Sequence, residues 1–493
     1  MANEPIYDVA SPDFANKLCS NQTALEARLL PMGGVSISKV LSYSATCFAA
    51  VSDIFTGEAR AMETNVEFTD KIAHDGIAGK PQILSRVLDT DIISLSGDEI
   101  KLAAIIEMDL FDNVSTRVKF LRFGGEDVFS REEKLDYSKL TARIGDAFTL
   151  SDEAHVTGNK LLLVESALVL FNVSSGADNV AADGEIITNI VTESDGEMNS
   201  YRLVTPFSHE APAEGSRGGN EAIATVRLRS VKASFAESAN TEAGEGEAAV
   251  NQTNILYLSF EAELTGFVYG EDSAAFVSDA FSIQNELSLV ASEAAFGRSR
   301  KQRTVTERVE GSVTLSSDMP VADRILAMAG SRLSIANSYI QDERLTIEGT
   351  VNAAVIYFSA ETGTKNSVDV ELPFSISTSE ASGGAVAAAY GEVYEITARI
   401  RRATEIDIRA EIAVTVNTLE TTKVRLITEL NVGEIFTVPS AAISMHIARP
   451  REALWDVAKA LRTTPELILL QNPELQLPLR GGERVIIYRH LKK

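Results

Sequence analysis

From Ile406 to Val416 every second residue is apolar. Ile406, Ile408, Ala410, Ile412, Val414 and Val416 share one face, and Glu405, Asp407, Arg409, Glu411 and Thr415 share the other. Successive side chains of a strand point to opposite faces, so this pattern specifies an extended segment with one buried and one wetted side. Such a strand needs sheet neighbours and a second layer to cover its apolar face. A second run places Leu256, Leu258, Phe260, Ala262 and Leu264 opposite Tyr257, Ser259, Glu261, Glu263 and Thr265. A third passes through Ile100, Leu102, Ala104, Ile106, Met108 and Leu110. Three such strands, widely spaced along the chain, predict three copies of one β-rich domain.

Short anchors recur at matching offsets. Thr149-Leu150-Ser151 returns as Thr314-Leu315-Ser316, and a further leucine follows each, Leu161 and Leu326. A glycine that is expected to open a strand comes next, in Gly184-Glu185-Ile186 and Gly349-Thr350-Val351. Pro206-Phe207-Ser208 and Pro373-Phe374-Ser375 close the series. A fixed order of anchors at one period is the signature of a repeat. The first copy is weaker: Leu30-Pro31, Leu41 and Gly57-Glu58-Ala59 are present, but Val66-Glu67-Phe68 stands in place of Pro-Phe. A chain of 493 residues exceeds a single core, and the expected domains are 1–140, 141–300, 301–440 and a tail, 443–493. Ala236 to Ala249 reads as an acidic surface loop, His209 to Asn220 as a glycine-rich loop, and Arg298 to Arg303 as an exposed basic linker. An anion or an acidic neighbouring copy is the alternative that Arg298 to Arg303 suggests.

Charge divides the chain differently. The net charge is −25, yet the tail from Ile443 onward holds 9 Lys+Arg against 5 Asp+Glu, a balance of +4 that leaves −29 for the remainder. An acidic body repels nucleic acid and anionic membrane, so neither is expected as a partner. No run approaches the length of a membrane span, and Met1-Ala2-Asn3-Glu4-Pro5 has no basic stretch leading into an apolar one. Cytoplasmic synthesis without a signal peptide is the expectation. The two cysteines, Cys19 and Cys47, allow two reduced thiols or one disulfide and have no metal-binding spacing.

The tail changes period. Met445-His446-Ile447 alternates as a strand, and Leu454, Val457, Ala458 and Leu461 then form one helical stripe with Trp455 beside it. Thr464 reads as an N-cap with Pro465 at the first helical position, and the second helix stops before Pro473 with Asn472 free to bond its last carbonyls. After Gly481-Gly482 comes a final strand, Val485-Ile486-Ile487-Tyr488. The chain as a whole is expected to be mainly β, with tandem sandwich-like domains and a small C-terminal βααβ module.

Two resemblances attach to these segments. The body resembles the SPOCS domain, a β-rich family of spore-coat-associated proteins of endospore-forming Firmicutes. The third copy carries it in Leu315, Pro320 and Ile325-Leu326, in Gly349-Thr350-Val351 through Val355-Ile356-Tyr357, and in Glu371-Leu372-Pro373-Phe374. The second copy adds Gly184-Glu185, Pro206-Phe207 and Val277-Ser278-Asp279-Ala280-Phe281-Ser282. The tail resembles LysM in Leu454-Trp455 followed by Ala458, in Asn472-Pro473 and in the glycine-led last strand. That family implies recognition of N-acetylglucosamine polymers such as peptidoglycan or chitin, in a groove between the loops Arg449–Ala453 and Asn472–Leu479. The groove residues it implies are Pro450, Arg451, Glu452, Ala453 and Leu454 on one side, and Asn472, Pro473, Glu474 and Leu475 on the other. Arg451-Glu452-Ala453 replaces the family's Gly-Asp-Thr, removing a turn glycine and a hydroxyl, which points away from sugar and toward a coat or envelope protein as ligand.

No catalytic arrangement emerges. His74, His155, His209, His446 and His490 include no pair at metal-ligand spacing, and no P-loop or nucleophile elbow occurs. His209-Glu210 reads as a solvated pair. The expectation is a non-enzymatic structural or adaptor protein without cofactor, made in the mother cell and placed on the spore surface, with self-association among its expected contacts. A glycan-binding envelope protein is the second reading, and a LysM-targeted wall hydrolase the least favoured.

Overall fold

A computed structural model gives the architecture. It describes residues 23–38, 40–53, 59–66, 82–96, 99–111, 118–122, 128–236, 253–379, 384–435 and 443–488, with the backbone alone before residue 118. The chain is mainly β, as the alternation requires. The first region holds β1 (Thr23–Ser38), β2 (Val40–Asp53) and β3 (Ala59–Val66) in one sheet, and a hairpin of β4 (Gln82–Ser96) with β5 (Glu99–Phe111). A six-strand unit follows: β6 (Val128–Thr157), β7 (Lys160–Ser175), β8 (Asn179–Ser194), β9 (Glu197–Pro212), β10 (Glu221–Phe235) and β11 (Thr253–Ser282). The next unit repeats it with β12 (Asn285–Thr314), β13 (Arg324–Gln341), β14 (Arg344–Ser359), β15 (Thr364–Ser379), β16 (Ala385–Arg402) and β17 (Glu405–Ile435).

Each six-strand unit is two antiparallel sheets. One is a meander, β7-β8-β9 or β13-β14-β15, and the other joins the long strands in the order β10-β11-β6 or β16-β17-β12. The backbone of β1 to β5 follows the same meander-then-hairpin order. Between the layers lie the alternating residues singled out above. Ile406, Ile408 and Ile412 of β17 share a core with Leu345, Ile347, Val351 and Val355 of β14. Leu256, Leu258, Phe260 and Leu264 of β11 share another with Val180, Ile186 and Ile190 of β8. All are essentially solvent-free, and each large aliphatic group so buried contributes roughly 1.5–3 kcal/mol.

The repeat anchors prove to be one physical device. Gly184 pairs with Phe207 across β8 and β9, and Gly349 pairs with Phe374 across β14 and β15. The phenyl ring lies over the glycine: a Cβ on Gly184 would sit 2.7 Å from the Phe207 ring and 2.3 Å from Val169 O, and one on Gly349 would sit 2.7 Å from the Phe374 ring and 2.1 Å from Ser334 O. Contrary to the expectation that each opens a strand, both glycines sit inside one, where the ring and a neighbouring carbonyl take up the space of a side chain. Tyr357 adds a second anchor, fully buried with its hydroxyl donating to Pro320 O at 3.0 Å.

The strand limits fall at other positions than the expected boundaries. Positions 140/141 and 300/301 fall inside β6 and β12, and the units run from 128 to 282 and from 285 to 435. Bulges shift the register at Val268/Tyr269, Val277/Asp279, Val290/Ala291 and Gly297/Ser299 while each strand keeps the same partner throughout, so no linker composition marks the junction. Arg298 to Arg303 is accordingly not an exposed linker. It lies in mid-strand, paired with β17 from Glu420 to Val416, and faces an acidic residue of the neighbouring copy. Glu221 accepts the Arg300 N–H at 2.7 Å and the Ser299 hydroxyl. Arg300 itself is buried, donating to Ser138 Oγ at 2.7 Å with its guanidinium 4.0 Å from the Tyr269 ring centre. Burial draws its pKa down, against the opposing pull of Tyr269 and Glu221. Gln302 bonds both N–H and C=O of Ala224, and Thr304 donates to Leu170 O.

Beyond the sandwiches, the far halves of the long strands continue as two-stranded ribbons, β6/β11 and β12/β17. Leu135 and Phe276 of one ribbon pack on Phe296 and Leu426 of the other. Residues 118–122 lie between them: Leu121 donates its N–H to Ile427 O and accepts at its carbonyl from Val277 N–H, both at 2.9 Å. The expected loop at His209 to Asn220 is shorter than predicted, because His209 to Pro212 remain in β9. Cys19, Gly57, Phe68 and all but Ala236 of the acidic segment lie outside the described residues.

Candidate functional site

The tail forms β18 (Ile443–Ile447), α1 (Leu454–Leu461), α2 (Pro465–Gln471) and β19 (Arg484–Tyr488), with β18 and β19 antiparallel. Val457, Ala458, Leu461 and Ile468 of the helices bury Val485 and Ile487 of the last strand. Thr464 caps α2, accepting from Leu467 N–H at 3.1 Å. Asn472 closes the same helix: its amide donates to Ile468 O and Ile486 O and accepts from Ile486 N–H.

The first expected groove loop keeps its turn despite the missing glycine. Arg451 takes the left-handed conformation at φ 62°, where a side chain costs roughly 1–2 kcal/mol. Glu452 is consumed internally, accepting Arg449 N–H at 2.7 Å and contacting His446 Nε2 at 3.0 Å. These two contacts, the Arg449 N–H foremost, hold its carboxyl below the usual range. Ala453 stands at the N-cap of α1 with no side-chain cap. Pro450 abuts the turn before β19, since a Cβ on Gly481 would lie 2.8 Å from Pro450 N. In the second loop Asn472 is engaged as above, Leu475 packs against the module's core, and Pro473 and Glu474 are exposed. Leu454 also packs on the core. Pro450, Arg451, Ala453, Pro473 and Glu474 therefore face solvent, while Glu452, Leu454, Asn472 and Leu475 hold the module together.

The module is seated on the body through α1. Trp455 donates Nε1–H to Asp279 Oδ2 at 2.8 Å and meets Phe281 edge-on at 5.0 Å between ring centres. Lys459 Nζ reaches Asp279 Oδ1 at 2.6 Å, and Arg462 donates to Asn285 O at 3.1 Å. Positions 455, 459 and 462 form one helical stripe. Burial works to raise the Asp279 pKa, but the bonds from Lys459, Trp455 and Ala280 N–H outweigh it and hold the carboxyl below its ordinary value. The sequence sets Trp455 beside the apolar stripe of α1, and its bond to Asp279 joins residues far apart in the chain. The sequence signal for this seat was the Val277–Ser282 stretch, whose final residues form it.

His209 pairs with Asp146 at 2.9 Å and stacks on Phe148, while Glu210 takes Asn179, because adjacent strand residues face opposite ways. Among the described residues no group of three or more His, Cys, Asp or Glu is placed to hold a metal, and no helix is long and apolar enough to cross a membrane. Comparison with protein-family models, curated proteins and solved structures returned no match.

Proposed function

We propose that the chain is a non-enzymatic structural protein of the spore coat or envelope, built from SPOCS-like domains, whose C-terminal LysM-like module docks on a coat protein. The observation that carries this reading is the state of the first groove loop. Its carboxylate is spent on Arg449 N–H and His446, and its N-cap position offers no hydroxyl. A sugar site needs convergent free hydrogen-bonding groups. Of the nine expected groove residues, those that face solvent are an arginine, an alanine, two prolines and one glutamate, which suit a protein surface better.

The sandwiches serve as a rigid mount. Because α1 is fixed to β11, the groove loops are held at a set orientation relative to the body, which fits an adaptor that must place its ligand. Glycan recognition is the second reading, supported by the retained strand–helix–helix–strand order. The full-length protein titrated with N-acetylglucosamine oligomers, in parallel with pull-down of defined coat proteins, decides between them. Saturable sugar binding without retention of any coat protein would refute the protein-docking reading, and a fluorescent fusion that stays diffuse through sporulation would refute the coat placement.

A further inference from the structure

On the reading of the chain as an assembling structural protein, we propose that the outer face of the β18–β19 sheet binds the ribbon tip of a second copy, joining molecules head to tail. Paired residues of an antiparallel ladder share a face. Ile443, Met445 and Ile447 pair with Tyr488, Ile486 and Arg484, and this side is turned away from the helices, which cover Val485 and Ile487. Ile443, Met445, Ile447 and Tyr488 are 55–59% exposed. Fourteen large apolar side chains are exposed among the described residues, and eight belong to the tail. A face so apolar on so small a module marks an interaction surface.

The module cannot turn this face onto its own seat, because α1 already occupies that seat through Trp455, Lys459 and Arg462. Charge names the occupant. Exposed arginines rim the face at Arg449, Arg451, Arg480 and Arg484 on two adjoining turns. None of the four lies within ion-pair distance of a carboxylate among the described residues; Glu452 and Glu483 are bound to backbone N–H groups and also feel the charges of Arg449 and Arg480, which leaves Arg451 and Arg484 as the least compensated. The body carries −29 against the tail's +4. Among the described residues of the body, Val432 at 60% and Ile435 at 79% are the most exposed large apolar groups, and both lie at the end of the β12/β17 ribbon, on one face through their partners Leu287 and Asn285. Exposed Glu286 and Glu434 flank them. An apolar surface with arginines thus has its complement in an apolar surface with glutamates. The two surfaces differ, so the contact is heterologous and each bound copy leaves one of each kind open.

Sedimentation velocity of the purified full-length chain over a wide concentration range tests this with no other partner present, so it can fail while coat docking stands, and the reverse. The wild type is expected to gain mass with concentration, and to lose that association at high salt as the charges are screened. Met445→Glu and Val432→Glu should each remain monomeric alone. An equimolar mixture of the two should form a one-to-one dimer, because each keeps the surface the other lacks. Arg484→Glu and Glu286→Lys repeat the comparison through exposed charges if either apolar variant misfolds. A wild type that stays monomeric, a variant that associates as the wild type does, or a Val432→Glu protein that dimerises by itself would each overturn the proposal.

Discussion

Replacing Asp279 with alanine should release the C-terminal module from the body while leaving both folded. The carboxylate holds two donors from α1, Trp455 Nε1 at 2.8 Å and Lys459 Nζ at 2.6 Å. A partly buried hydrogen bond to a charged acceptor is worth about 1.5–3 kcal/mol. The Lys459 pair, with its ammonium 42% exposed, is screened and adds about 0.5 kcal/mol. A total of about 2–3.5 kcal/mol corresponds to a roughly 30- to 300-fold shift toward the undocked form, at about 1.4 kcal/mol per factor of ten. Trp455 is the chain's one tryptophan, so its emission in a urea titration reports undocking directly. The variant should shift to longer wavelength and undock at lower urea. Asp279 has a folded-state pKa below its unfolded value. Its contribution is therefore complete above the unfolded carboxylate range and is lost as pH falls through the folded pKa. The wild type should reproduce the variant's emission in that acid window. Undocking of Asp279→Ala within 0.5 kcal/mol of wild type, on the scale of a surface substitution, would refute the assignment of Asp279 as the main hold.

Gly349→Ala should destabilise its unit by about 3 kcal/mol or more, because the added methyl meets Ser334 O at 2.1 Å as well as the Phe374 ring; chemical denaturation measures it, and Phe374→Ala in the same chain should not rescue it, since the carbonyl remains. Arg300→Ala should cost about 1–3 kcal/mol by leaving Ser138 without its buried donor and removing the guanidinium from the Tyr269 ring, while Glu221 keeps the backbone N–H of residue 300; Arg300→Met, which refills the space, should cost less; thermal unfolding of the two variants tests the contrast. Ala453→Ser should stabilise the module by about 1 kcal/mol by supplying the missing cap of α1, read from hydrogen exchange of the α1 amides.

Local pattern made much of this fold legible. Period-two runs such as Ile406 to Val416 mark strands because a sheet buries one face at a time, and Thr464-Pro465 marks a helix start because both residues act within a single turn. The glycine and Pro-Phe anchors signalled a repeat, but their meaning as cross-strand pairs required the register of β8 on β9 and β14 on β15. Arg298 to Arg303 misled for a physical reason. A run of arginines is normally solvated, and only the arrival of Glu221 and Tyr269 from another part of the chain makes burial of Arg300 tolerable. The expected groove loops rest on a motif, whereas the consumption of Glu452 and Asn472 by backbone groups depends on atoms brought together by folding. Asp279 was hidden for the same reason, since Trp455 and Lys459 lie far along the chain from it.

The ladder between β6 and β11 has a consequence for how the protein is made. Thr157 pairs with Thr253, and Val128 waits for Ser282. At translation rates of roughly 5–20 residues per second, β6 leaves the ribosome many seconds before its partner exists. During that interval an edge with alternating apolar residues stands open, and the same holds for β12 awaiting β17. Pairings so distant in sequence fold slowly. Newly made chains crowded on one messenger could therefore exchange these strands with one another, so the speed and spacing of synthesis become determinants of how much correctly closed protein a cell obtains.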